Sequence, residues 1–262
     1  MSALSERFAL LRSRNENALV LFVTAGDPPL NQLSHVISAL EEGGADVIEI
    51  GIPFSDPIAD GPTIQASSQR ALDRGVTPPA VLEALSRIKP RVPVVLMGYY
   101  NPVLRLGLEV FADTAKKAGA SGTILCDVTP DEAGDWIAAS QVVGLDNVFL
   151  AAPTSTDQRL DAVCAAATGF VYAVSRAGVT GALERIPPEV EGLVNRLKAR
   201  TKLPVCVGFG ISKPEHVRAV CQVADGAVIG SWLVDWLNKH WEGGKGRDGL
   251  VSELRLLKQA TL

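Results

Sequence analysis

The 262-residue sequence has 47% hydrophobic and 21% charged residues and a formal net charge of −4. These proportions are typical of a soluble globular protein, and without a long basic stripe they disfavour binding to nucleic acid. No apolar run approaches the roughly 18 residues of a membrane-spanning helix, and we expect no signal peptide at the N-terminus.

The first predicted element is an amphipathic helix near the N-terminus, with Leu4, Phe8 and Leu11 on one face. Short apolar segments then recur along the chain, and each is too uniformly apolar for a half-exposed sheet. Apolar strands of this kind belong to a parallel sheet that helices cover on both faces. We predict strands at 19–25, 46–52, 92–99, 122–128, 147–152, 169–175, 203–209 and 226–231.

Helical patterns separate these strands. In the stretch 31–44, apolar residues recur with helical spacing before a glycine, which is a helix-stop signal. Eight strands that alternate with helices over about 250 residues predict an α/β fold, a (β/α)8 TIM barrel, with the open doubly wound sheet as the alternative. Because no linker or change of composition interrupts the chain, we expect a single domain over 1–262.

The connection after the second strand is too long for one helix. It contains a proline-rich loop at 53–62 and helical patterns at about 63–74 and 78–89. We therefore predict an extra helix after strand 2. Added loop length on an otherwise regular fold often marks function.

Glu49 interrupts the second strand, with no lysine or arginine close in the sequence. Side chains alternate along a strand, so Glu49 shares a face with Val47 and Gly51, while Ile48 and Ile50 share the other. If the first face points inward, the carboxylate lies in the barrel mouth. Desolvation there raises its pKa and suits it to general acid–base catalysis. The alternative is a structural carboxylate that caps a backbone amide or pairs with a distant arginine.

Asp56 and Asp60 follow in the loop that Pro53, Pro57 and Pro62 constrain. Loop aspartates often stabilise local turns. The spacing does not choose between these two residues as a second catalytic carboxylate.

Glycine-rich segments follow the last three strands: SRAGVTGA, GFGISKPEH and GSW. Loops after strands 7 and 8, with a helix N-terminus, form the usual phosphate site of this barrel, although simple helix-start turns would use the same glycines. GFGISK is an incomplete dinucleotide motif with Lys213 at its sixth position, so we reject nicotinamide binding.

Tyr172 shares a face of the sixth strand with Phe170 and Val174. A tyrosine within a strand is usually part of the core. At a barrel mouth, it could instead form a hydrogen bond with a substrate or modify the pKa of a carboxylate.

The motifs FVTAGDP, ADVIEIGIPFSDPIADGPTIQ, MGYYNPV, APTST, VYAVSRAGVTGA and GFGISKPEHV together resemble the tryptophan synthase alpha subunit. They occur in family order over about residues 22 to 217. The resemblance implies a lyase that cleaves indole-3-glycerol phosphate to indole and glyceraldehyde 3-phosphate by a retro-aldol reaction. It also implies that Glu49 moves the protons and that Asp60, rather than Asp56, binds the indole N–H.

The same resemblance places other residues around the substrate. Tyr172 would lie beside Glu49 and the glycerol hydroxyl, and Thr180 would close over Asp60. The walls of the indole pocket would be Phe22, Ile64, Met97 and Phe209. The phosphate ligands would be Gly181, Gly210, Gly230 and Ser231.

The resemblance further implies a partner. A beta subunit that holds pyridoxal phosphate would consume the indole in an α2β2 heterotetramer, and this chain would need neither a cofactor nor a metal. The surface that meets the beta subunit would include Pro53, Asp56, Pro57, the segment from Asn101 to Arg105, and Asp127.

Four cysteines without a C-x-x-C pair and three scattered histidines give little support for disulfides or a metal site, and a reducing cytoplasm is the simplest compartment. Two other functions stay open at this point. The chain could be another phosphate-binding barrel, such as a sugar-phosphate isomerase or epimerase. It could also be an interaction subunit that mainly activates a partner.

Overall fold

The computed structural model of the chain describes residues 1–174, 186–208 and 210–262. Eight parallel strands close into a barrel in chain order, and β1 pairs with both β2 and β8. The strands are β1 Ala18–Thr24, β2 Val47–Gly51, β3 Val94–Gly98, β4 Gly122–Leu125, β5 Asp146–Ala151, β6 Val171–Val174, β7 Val205–Gly208 and β8 Gly226–Ile229. The closed barrel confirms the predicted TIM barrel and rules out the open sheet.

Helices surround the barrel, as alternation along the chain predicts. They are α1 Ala3–Ser13, α2 Leu33–Glu42, α3 Pro62–Asp73, α4 Pro78–Ser86, α5 Tyr100–Leu106, α6 Leu108–Lys117, α7 Gly134–Val143, α8 Asp157–Ala166, α9 Pro188–Lys198, α10 Pro214–Cys221, α11 Ser231–His240 and α12 Arg247–Gln259. The N-terminal helix and the additional helix after β2 are both confirmed. None of the helices within the described ranges is long and apolar enough to cross a bilayer.

Side-chain alternation divides the core into two layers. One layer lies between the strands and the outer helices and includes Ile48 and Ile50. The other fills the barrel interior with buried residues from every strand or its flank: Ala18, Val20, Val47, Val95, Ile124, Val148, Phe170, Cys206 and Val228. Leu4, Phe8 and Leu11 of α1 pack against this interior cluster. The apolar face of the N-terminal helix therefore completes the inner core.

Several strands are shorter than their apolar runs suggest. The run at 122–128 gives a strand only over Gly122–Leu125, because the chain turns at Cys126 and Asp127. The Asp127 carboxylate accepts a hydrogen bond from the backbone N–H of Tyr100, at 2.8 Å. β4 thus ends just before Asp127, whose side chain binds the backbone at Tyr100.

Candidate active site

Glu49 lies at the centre of β2, in register with Phe22 of β1 and Val95 of β3. Its exposed fraction is 0%. Val47, two residues earlier on the same face, belongs to the interior cluster. The Glu49 side chain therefore points into the barrel, as the alternation predicts.

The Glu49 carboxyl group has no hydrogen-bond partner on either oxygen among the described residues. It also forms no salt bridge with them. Burial alone raises its pKa from 4.5 to about 8. Neither structural alternative for Glu49, an amide cap or an arginine pair, is found in the described part of the chain.

Asp60 and Asp56 occupy different environments in the loop between β2 and α3. The Tyr99 hydroxyl donates a hydrogen bond to Oδ2 of Asp60, at 3.0 Å. Burial raises the pKa of Asp60, and the bond from Tyr99 partly opposes this rise. Asp56 is exposed and accepts a hydrogen bond from its neighbour Ser55. This contrast favours Asp60 as the second functional carboxylate.

Tyr172 faces the barrel interior from β6, next to Phe170 at a ring-centroid distance of 6.4 Å. Its ring crosses Gly208 of β7, where an added Cβ atom would lie 2.5 Å from the Tyr172 hydroxyl oxygen. Burial, followed by the charge of Glu49, raises the pKa of Tyr172 well above its usual value. Tyr172 is therefore a neutral phenol that lies close enough to Glu49 for the charge of Glu49 to affect the Tyr172 pKa.

Phe22 and Ile64, two predicted walls of the indole pocket, both lie beside Gly230 of the predicted phosphate site. A Cβ atom added to Gly230 would lie 3.6 Å from Phe22 Cβ and 3.7 Å from Ile64 Cδ1. Gly51 leaves room for the Phe22 ring, since a Cβ there would lie 2.5 Å from Phe22 Cζ. Met97 pairs in register with Gly51 and packs against the interior cluster. Phe22, Ile64 and Met97 thus form apolar surface around the barrel mouth.

The predicted phosphate residues that the structure describes lie at two loop–helix junctions. Gly230 is the N-cap of α11, and the exposed Ser231 is its first residue. Gly210 precedes α10 and has φ of +44°, a conformation that glycine adopts readily. The N-terminus of a ten-residue helix such as α11 presents backbone N–H groups and a positive dipole end to an anion. Thr180, Gly181 and Phe209 lie outside the described residues.

A buried charge network fixes the helix that follows the Asp60 loop. Asp27, only 5% exposed, accepts hydrogen bonds from Ser67 at 2.8 Å, Arg70 at 2.5 Å and Arg74 at 3.0 Å. Burial would raise the pKa of Asp27, but these bonds outweigh burial and lower it. All three donors belong to α3 or its C-cap, so the loop after β1 anchors the helix that contains Ile64.

Two residues near the carboxylates were not predicted as site residues. Tyr99 follows β3, is 3% exposed and binds Asp60. Cys126 follows β4 and packs against the interior cluster. Burial and the charges of Asp60 and Glu49 raise the Cys126 pKa. Counting in steps of two from the inward Met97 would have indicated Tyr99.

The predicted partner surface lies at the same end of the barrel. Asp56, Asn101, Arg105 and Asp127 are exposed, Pro57 is partly exposed and Pro53 is buried. Exposed apolar side chains lie among them, with Ile58 79% and Leu104 53% exposed. Among all the residues that the structure describes, no group of three or more His, Cys, Asp or Glu side chains could hold a metal ion.

The Glu49 carboxyl group is buried in the barrel mouth without a partner in the described part of the chain, and a helix N-terminus suited to phosphate lies at the same mouth. This combination is typical of a (β/α)8 acid–base enzyme. Comparisons with known proteins identify the family. A family model described as tryptophan synthase alpha chain matches residues 8–260. The chain belongs to the tryptophan synthase alpha chain family.

Individual relatives agree with this assignment. The tryptophan synthase alpha chain of Geobacter sp. (strain M21) is 47% identical over 100% of this chain and 98% of its own length. That of Burkholderia pseudomallei (strain K96243) is 46% identical over 98% of this chain and 96% of its own.

Solved structures show the same similarity. The alpha subunit of Legionella pneumophila (strain Paris) has a TM-score of 0.91 at 34% identity, covering 100% of this chain and 98% of that one. A chain of Mycobacterium tuberculosis tryptophan synthase has a TM-score of 0.91 at 39% identity, covering 99% and 98%.

Members of this family catalyse the alpha reaction of tryptophan biosynthesis, in which a lyase cleaves indole-3-glycerol phosphate. They work with a beta subunit, to which pyridoxal phosphate belongs. Family membership sets aside the sugar-phosphate isomerase or epimerase as the function of this barrel.

Proposed function

We propose that this chain cleaves indole-3-glycerol phosphate by a retro-aldol reaction in which Glu49 moves the protons and Asp60 stabilises the charge on the indole ring. The observation that supports this proposal most strongly is that the Glu49 carboxyl group, at 0% exposure, has no hydrogen-bond partner among the described residues. Burying an unpaired polar group costs free energy, and such a cost is typical of functional positions.

Because its pKa is raised, Glu49 can serve the reaction both as a protonated acid and as a carboxylate base. With a pKa of about 8, the group is mostly protonated at neutral pH and can donate a proton to C3 of the indole ring. Protonation at C3 makes the ring an electron sink. The resulting carboxylate then accepts the proton of the hydroxyl on the carbon attached to C3. The bond between the two carbons breaks, its electron pair returns to the ring, and the hydroxyl carbon becomes the aldehyde.

Asp60 and Tyr172 complete the polar part of the site. Positive charge develops on the indole nitrogen when C3 is protonated, and the Asp60 carboxylate stabilises it by accepting the N–H hydrogen bond. Tyr172, held as a neutral phenol, donates a hydrogen bond beside Glu49 to the glycerol part of the substrate. Thr180, in the segment after β6, resembles the family residue that closes over Asp60.

The remaining site residues bind the two ends of the substrate. Apolar side chains enclose the indole ring, and backbone N–H groups with the Ser231 hydroxyl hold the phosphate. The indole walls are Phe22, Ile64, Met97 and Phe209. The phosphate ligands are Gly181, Gly210, Gly230 and Ser231.

The rim of the barrel mouth is the surface for the beta subunit. The exposed apolar side chains of this rim are surrounded by Asp56, Pro57, Asn101, Arg105 and Asp127. The buried Pro53 constrains the backbone of the same loop. An apolar patch rimmed by polar groups is typical of a protein interface. The assembly is an α2β2 heterotetramer in the cytoplasm.

The test is indole release by Glu49→Gln, with and without added beta subunit. The substitution keeps the shape of the side chain but removes its proton transfer, so turnover falls by at least about 10²-fold while KM changes little. Glu253→Gln, an exposed carboxylate on α12, serves as the control. Near-normal turnover in Glu49→Gln would remove Glu49 from this role. No indole from the unmodified chain, even with the beta subunit, would contradict the function itself.

A further inference from the structure

The Tyr99 side chain connects three parts of the proposed site. Its hydroxyl oxygen lies 3.0 Å from Oδ2 of Asp60 and 3.0 Å from the backbone nitrogen of Ala59. Its ring packs against Phe54 at a centroid distance of 5.1 Å, with the ring planes inclined by 31°. Tyr99 is 3% exposed, so its position is fixed by packing as well as by hydrogen bonds.

The two hydrogen bonds fix the direction of the hydroxyl proton. The Ala59 backbone N–H can only donate, so the Tyr99 oxygen accepts there. The single O–H hydrogen of Tyr99 is then directed to Oδ2 of Asp60. A donor aimed at a carboxylate oxygen favours the ionised carboxylate.

We propose that Tyr99 is a positioning residue, which occupies Oδ2 of Asp60, leaves Oδ1 for the indole N–H and holds the loop backbone at Ala59. This inference rests on the function proposed above for Asp60. Tyr99 does not contact the reacting atoms. It acts through Asp60 by fixing the orientation and the charge of that carboxylate.

The surroundings of Asp60 explain why such a donor is needed. Among residues 1–174, 186–208 and 210–262, the titratable groups whose pKa the charge of Asp60 raises are Tyr99 after β3, Cys126 after β4 and Tyr172 from β6, and none of these three is a cation. Burial raises the pKa of Asp60, and Tyr99 supplies the hydrogen bond that lowers it. Tyr99 therefore opposes the effect of burial and favours the ionised form of Asp60.

Tyr99→Phe tests the proposal, because it retains the ring against Phe54 and removes only the hydroxyl. We expect kcat for indole release to fall about tenfold or more, the scale of one hydrogen bond to a charged group, with KM within about threefold. The acid limb of the kcat/KM profile moves to higher pH, since Asp60 without its donor ionises at higher pH. Tyr100→Phe, which removes the hydroxyl of the next residue, leaves the acid limb in place.

A second substitution has the opposite expected sign and preserves the shape of the site. Tyr99→3-fluorotyrosine makes the hydroxyl a stronger donor, so the acid limb moves to lower pH. A folded Tyr99→Phe protein with an unshifted acid limb would overturn the inference. So would a Tyr99→3-fluorotyrosine protein whose limb stays in place or moves upward.

Asp60→Asn separates this inference from the function on which it rests. An inactive Asp60→Asn protein together with the two opposite shifts supports both. An inactive Asp60→Asn protein with unshifted position-99 variants overturns the inference and leaves the role of Asp60 standing. Normal activity in Asp60→Asn removes the role of Asp60, and the inference about Tyr99 falls with it.

Discussion

Replacing Glu49 with glutamine should stabilise the folded protein at alkaline pH. The buried carboxyl group has a pKa of about 8, against 4.5 for the free group. Glutamine has nearly the same shape and stays neutral at every pH. Below the pKa of the unfolded chain, both proteins bury a neutral group at position 49, and their free energies of unfolding should be similar.

The difference develops as the pH rises, and its sign follows from proton linkage. Between the two pKa values the unfolded chain loses a proton that the folded protein keeps, so the unmodified protein loses stability with increasing pH. Each pH unit is worth about 1.4 kcal/mol. Over the interval from 4.5 to about 8, the unmodified protein loses at most about 5 kcal/mol relative to Glu49→Gln, and the difference is constant above it.

Urea denaturation at about pH 5, 7 and 9 measures this difference, with Glu253→Gln as the exposed control. The prediction is that Glu49→Gln gains stability over the unmodified protein as the pH rises, whereas Glu253→Gln does not. A constant difference between Glu49→Gln and the unmodified protein from about pH 5 to 9 would refute the reasoning. It would mean that the Glu49 pKa does not rise on folding.

Three further substitutions test the surrounding structure. Gly208→Ala places a Cβ atom 2.5 Å from the Tyr172 hydroxyl oxygen, so steady-state kinetics should show kcat lower by about tenfold or more. Arg70→Met removes one of three donors from the buried Asp27, and urea denaturation should show a loss of about 2 kcal/mol. Ser231→Ala removes a hydroxyl from the N-terminus of α11, and KM for indole-3-glycerol phosphate should rise by about threefold to tenfold with kcat unchanged.

Each of these predictions has a contradicting result. Unchanged kcat in Gly208→Ala would mean that the position of the Tyr172 ring is unimportant for turnover. Stability unchanged in Arg70→Met would mean that Arg74 and Ser67 alone satisfy Asp27. A lower kcat with unchanged KM in Ser231→Ala would place this hydroxyl in the chemical step rather than in phosphate binding.

The barrel and the direction of Glu49 could be predicted from the sequence because both follow from local periodicity. Uniformly apolar runs of strand length, separated by helical patterns, leave few arrangements that cover both faces of the sheet. Within β2, the alternation of Val47, Glu49 and Gly51 with Ile48 and Ile50 is enough to assign the inward face. The structure confirms that assignment, since Val47 and Ile48 lie in different core layers.

The loop carboxylates could not be separated in this way. The distinction between Asp56 and Asp60 depends on Tyr99, which lies 39 residues further along the chain than Asp60. Turn preferences treat both aspartates alike. Only the closed barrel, which brings the end of β3 next to the end of β2, makes one of them half-buried and leaves the other exposed. The resemblance to a known family supplied what periodicity could not.

The Asp27 network was missed for a related reason. Asp27 is part of a motif that resembles the family, and Arg70 and Arg74 belong to a helix that the pattern predicts. Nothing in the local sequence links them, because their contacts join the loop after β1 to α3, more than forty residues away. Interactions of this kind depend on tertiary geometry and not on spacing.

The most direct test of the proton-transfer role is a titration of Glu49 itself. Carbon-13 NMR of protein labelled at the glutamate side-chain carboxyl, compared with the Glu49→Gln spectrum, identifies its resonance. We predict that this resonance titrates with a midpoint near 8. A midpoint near the ordinary value of 4.5 would contradict the account, because the carboxyl group would then have no proton to give at neutral pH.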